Sequence, residues 1–193
     1  MLKKYKCPYQ LHEVRAQFIG AIASPIESVS PLSELKSFWG GELPPFKNMD
    51  EVNELMNAFV MGLWNQLSAH TEREHPFELT VFKGRPTEAM LRNQAQVRSE
   101  ELEAFLAAFF QGQETIKLPP KLSQSLDVLE DLAGIFVGIV AIPKNTNEPE
   151  SELLALAENL IKLTDIAETE INNIVLSTAS ARLGIDHGSG TLH

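Results

Sequence analysis

Three observations predict an all-α fold, a compact orthogonal or irregular bundle of about seven helices with little or no strand. Apolar residues recur at spacings of three and four, capping residues head several of these runs, and prolines or glycines end them. The 193 residues are 44% apolar and 22% charged, which suffices for a hydrophobic core without disulfide or metal staples. Residues 1–183 read as one helical domain, with 143–149 as the place where it would divide, and 184–193 as a flexible tail.

The first helix is predicted over about Gln10 to Ala23, with Leu11, Val14, Phe18, Ala21 and Ile22 on one stripe and Pro25 ending it. Ser30-Pro31 opens a short second helix, because a serine oxygen caps free amides and proline suits the first helical position; Gly40-Gly41 stops it. Asn48-Met49-Asp50-Glu51 then heads a central helix to Leu67, in which Val52, Leu55, Met56, Phe59, Val60, Leu63, Trp64 and Leu67 form one wide buried face. His70 to Pro86 reads as a connection, with Leu79 to Phe82 extended or simply packed.

A helical segment from about Thr87 is expected to break near Ser99 and stop at Gly112. Beyond Pro119-Pro120, a helix over about Ser123 to Ala141 carries Leu126, Leu129, Leu132, Phe136, Val137 and Val140, and its Gly134 and Gly138 predict close approach of another backbone. Pro143 to Pro149 is the expected linker. Two final helices, about Glu150 to Lys162 and Asp165 to Leu183, present Leu153, Leu156, Ala157 and Leu160, then Ile171, Ile174, Val175 and Thr178.

Residues 16–67 have a more specific pattern. Phe18 to Pro25 is an apolar helix ending in proline; Ser30-Pro31-Leu32-Ser33-Glu34-Leu35, Phe38-Trp39-Gly40-Gly41 and Met61-Gly62-Leu63-Trp64-Asn65 follow. This order resembles the YecA/YgfB-like family of bacterial proteins, and Ala104 to Gly112 is similar to a second helix of that family, without its tryptophan-cysteine pair. The resemblance implies an all-α fold and no agreed activity. The cysteine-rich metal-binding tail of some relatives is absent, since Cys7 is the one cysteine.

That single cysteine excludes an intramolecular disulfide and fits a reducing cytoplasm. Glu13 and Arg15 interrupt any signal-peptide core, and the most apolar run, Leu132 to Ile142, is far below the roughly 20 residues of a membrane span. Net charge is −10, divided as +1 over 1–50, −5 over 51–147 and −6 over 148–193. Such a balance disfavours nucleic acid and anionic membrane as partners and makes a basic protein partner easier to accept.

Four groups of side chains invite a chemical reading. His70, Glu72, Glu74 and His75 are the clustered metal-type residues, yet on a helix five residues turn the second imidazole about 140° from the first, so only a loop would let them converge. Glu100, Glu101 and Glu103 would be paired carboxylates, or simply acids in a first helical turn behind Ser99. Cys7 lies near Lys3, Lys4 and Lys6, which would lower its pKa, but a mobile terminus rarely holds a nucleophile, and His12 is a slight companion. Trp39 and Trp64 would line a pocket or pack in the core. The glycine pairs match no phosphate loop. No catalytic or cofactor-binding residue is assigned. The expected function is non-enzymatic protein binding or regulation, with homo-oligomerisation compatible; the alternative is a small-ligand binder or enzyme assembled near His70 and His75.

Overall fold

The computed structural model describes residues 1–26, 29–142 and 149–182. Among them the chain forms six helices and no strand, so the all-α class holds with one helix fewer than the expected seven. These are α1 (Leu11–Ala23), α2 (Pro31–Ser37), α3, α4 (Glu88–Phe110), α5 (Pro120–Ala141) and α6 (Glu150–Arg182). α3 is composite: α-helical Met49–Met56, π-helical Asn57–Trp64, α-helical Asn65–Ser68 and a closing 3-10 turn, Ala69–Thr71. The expected linker at 143–149, apart from Pro149, and the tail at 184–193 lie outside the described residues.

The caps expected at Ser30 and Asn48 are present, and Thr87 provides a third. Ser30 Oγ accepts from Ser33 N, Asn48 Oδ1 from Glu51 N, and Thr87 Oγ1 from Met90 N. Two expected breaks are absent. Ser99 does not cap a new helix: its hydroxyl bonds back to Gln96 O at 2.8 Å, and α4 runs through it. Thr164 is buried and accepts from Arg98 Nε at 3.1 Å, so the two predicted final helices are one, 33 residues and about 50 Å long. α5 starts three residues earlier than predicted, because Pro120 takes the first helical position that the ring's fixed φ favours.

α4 is the hub, packing on α1, α5 and α6, while α6 also crosses α1 and α5, and α2 and α3 cover the other side of α1. α1 and α4 run parallel. They meet backbone to backbone at Gly20, where an added Cβ would lie 2.2 Å from Phe105 O. One turn on, Ser24 Oγ donates to Phe109 O at 2.7 Å in the buried interior. The backbone contact predicted for Gly134 and Gly138 is therefore made by Gly20 instead: the α5 glycines face open space, and their neighbours Ile135 and Val137 are about half exposed.

Leu11 is exposed, so the α1 stripe begins at Val14. In α3, the buried Leu55, Phe59 and Leu67 are separated by multiples of four. In a 3.6-residue helix that spacing drifts 40° per step; the π-helical stretch, at about 4.4 residues per turn, slows the drift and keeps them on the core.

The segment Phe77 to Phe82 forms neither helix nor strand, and side chains satisfy its backbone at Phe77, Leu79 and Thr80. Asn172 accepts from Phe77 N at 2.7 Å and donates to Phe77 O at 3.0 Å; Glu168 accepts from Leu79 N; Glu101 accepts from Thr80 N and Oγ1. Arg98 donates to Thr80 O and pairs with Glu101, both side chains being almost wholly buried. Glu101 is thus a core ion-pair partner, not the helix-cap acid that its position behind Ser99 suggested.

Candidate functional site

A large open cleft of about 1440 Å³ lies where α1 and α6 end, α3 gives way to its closing turn, and α5 begins. Sequence dictates each edge. Pro25 cannot continue α1, so the chain turns away and leaves the carbonyls of Ile22 and Ser24 exposed to a donor. Arg182, on the last turn of α6, supplies it, reaching Ile22 O at 2.8 Å and also contacting Ser24 O. Burial lowers the Arg182 pKa from its ordinary value, yet guanidinium stays a cation. α3 contributes Trp64, whose ring packs edge-on against Phe18 at 5.2 Å, and then Ser68 and Thr71. Lys117, Lys121 and Leu122 come from the proline-marked start of α5.

The chemistry of this cleft contrasts with the protein's composition. Among the described residues, Arg73, Lys117, Lys121 and Arg182 line it and no aspartate or glutamate does, although the chain carries 26 acids against 16 bases. Arg73, Lys117 and Lys121 are exposed and form no ion pair among the described residues. Ile22, Ile26, Leu118, Leu122 and Leu176 supply an apolar surface beside these cations. An apolar floor rimmed by unpaired positive charge suits a ligand with both carboxylates and apolar side chains.

Of the residues singled out from the sequence, Trp64 lines the cleft and the others fall elsewhere. His70 Nδ1 faces the carbonyl of His75 at 2.8 Å with its ring edge-on to Phe77, while His75 Nδ1 lies 3.4 Å from Glu72 on the exposed side. Glu74 is exposed, and the four do not converge as a ligand set. Cys7 is half-buried, and burial pushes its thiol up, opposite to the lowering expected from the neighbouring lysines. Lys4 is engaged by Glu54 at 2.7 Å and Glu51 at 3.6 Å. The terminus itself is packed: Tyr5 is buried, and its carbonyl accepts from Trp39 Nε1 at 2.8 Å. Trp39 is thereby fixed to the packed terminus, whereas Trp64 lines the cleft.

Sequence reasoning missed Lys117, Lys121, Arg73 and Arg182 because they lie far apart in the chain and within acidic or mixed surroundings. The one available signal was Lys117 to Lys121, a five-residue stretch with two cations and no acid. No helix among the described residues is long and apolar enough to cross a membrane. No protein-family model, curated protein or solved structure matches this chain.

Proposed function

We propose that the protein is a non-enzymatic binding module that receives an amphipathic, acidic segment of another protein in the basic cleft. The observation that supports this reading most is a large groove that, among the described residues, is lined by four cations and no acid in a chain of net charge −10. Size favours a polypeptide: small-molecule pockets hold about 300–1000 Å³, whereas 1440 Å³ accommodates on the order of three turns of helix. The clustered cations revise the partner suggested by overall charge, from a basic protein to an acidic one. The YecA/YgfB-like resemblance over residues 16–67 fits an all-α binding protein and adds no activity.

Selection from a peptide-display library tests the proposal. The intact protein should enrich peptides that combine Asp or Glu with Leu, Ile or Phe at spacings of three and four, and Lys117→Glu/Lys121→Glu should weaken the selected peptides at least tenfold. Enrichment of basic peptides, or affinity unchanged by the charge reversal, would contradict it.

A further inference from the structure

About 15 Å back along α1 from the cleft, its first turn faces α4 across a second, smaller groove. The Gly20–Phe105 contact and the Ser24–Phe109 bond fix the axial register of the two helices, and that register sets His12 opposite Glu100. His12 Nε2 lies 2.7 Å from Glu100 Oε2, and ligand atoms of His12, Glu13 and Glu100 all fall within 4.8 Å of one another. All three residues are partly buried.

From this geometry we infer that His12, Glu13 and Glu100 form a binding site for a divalent transition-metal ion of the zinc class. One imidazole nitrogen and two carboxylate oxygens form a donor set for borderline cations such as Zn²⁺ or Co²⁺; the nitrogen argues against Mg²⁺ and Ca²⁺, and the lack of sulfur against Cu⁺. At metal–ligand distances of about 2.0–2.1 Å, neighbouring donors stand roughly 2.9–3.4 Å apart, so the His12–Glu100 pair needs to open by only a few tenths of an ångström. The ion takes the place of the hydrogen between Nε2 and Oε2.

Each carboxylate is already oriented by a donor of its own: Glu13 Oε2 accepts from Gln10 N at 2.6 Å, and Glu100 Oε1 from Gln96 Nε2 at 2.7 Å. The groove beside the three is acidic: among the described residues, Glu13, Glu34, Glu100 and Glu103 line its roughly 360 Å³ and no lysine or arginine does. Glu34 is 3% exposed with Gln111 Nε2, a neutral donor, at 2.8 Å. A cation at His12 would relieve this unbalanced field, and a remaining coordination position would open on the groove.

Zn²⁺ titration of the intact chain by calorimetry tests the site, with His12→Gln, Glu100→Gln and Glu13→Gln each checked for folding by circular dichroism. The wild type should bind one equivalent, and His12→Gln should lose at least tenfold in affinity. Co²⁺ should give visible d–d absorption that any folded variant of the three weakens, while a His70→Ala/His75→Ala control retains it. No saturable binding to the wild type overturns the inference, as does binding undiminished by His12→Gln, which would put the ion on another histidine. Neither result bears on peptide binding at the cleft.

Discussion

Among the described residues, α1 at its C-terminal end borders a cleft lined by Arg73, Lys117, Lys121 and Arg182 with no acid, and at its first turn a groove lined by Glu13, Glu34, Glu100 and Glu103 with no lysine or arginine. One short helix thus separates two surfaces of opposite sign. Net charge averages over both, which is why it says little about the charge of either surface. Between them, the Gly20–Phe105 contact and the Ser24–Phe109 hydrogen bond hold α1 on α4 and keep the two surfaces apart.

The largest expected effect comes from breaking that contact. Gly20→Val would place side-chain carbon against the Phe105 carbonyl, a backbone atom that cannot swing aside, so a loss of about 4 kcal/mol or more is expected in urea unfolding. Both surfaces should lose their geometry together. Arg98→Met comes next. It leaves the Glu101 carboxylate buried without its cation and Thr80 O without a donor, at a cost of about 3 kcal/mol or more by the same assay. The comparison is with Lys117→Glu/Lys121→Glu, which removes charges that are solvated and unpaired. There stability should stay within about 0.5 kcal/mol while peptide affinity falls at least tenfold.

Smaller effects sharpen the same contrast. Gly138→Ala sits in a helix interior with open space around the new methyl, so thermal melting should show a gain of about 0.5–1 kcal/mol where Gly20 tolerates nothing. Glu34→Gln should stabilise the fold slightly at neutral pH, within about 1 kcal/mol, because desolvation raises the carboxyl pKa above its ordinary 4.5. The sign follows from linkage: the folded state holds the Glu34 proton more tightly, so this residue's contribution is full below 4.5 and is lost as pH rises through the raised value. The advantage of the variant should therefore vanish in acid.

Most of the fold was legible because it is written locally. Ser30, Asn48 and Thr87 cap the helices they head, and the apolar spacings of Val14 to Ile22 and Leu126 to Phe136 mark buried faces. What local pattern could not decide was competition from distant partners. Ser99 and Thr164 are helix-start residues by type, but one bonds its own helix and the other is taken by Arg98. Gly134 and Gly138 have the spacing for close packing and no neighbour to pack on, while the lone Gly20 has one. The cleft was hidden for a related reason: its cations come from the end of α6, from around the start of α5 and from just beyond α3, and only the packing of these elements brings them together.

The two tryptophans offer the most direct test of the cleft. Trp64 lines it, whereas the Trp39 indole is tied to Tyr5 O on the packed terminus. In ¹⁵N-correlated spectra, titration with a selected acidic amphipathic peptide should shift the Trp64 indole signal and leave that of Trp39 in place, with the shift abolished by Lys117→Glu/Lys121→Glu. A peptide that binds while the Trp64 signal stays still, or that moves Trp39 instead, would contradict the assignment of the basic cleft as the binding site.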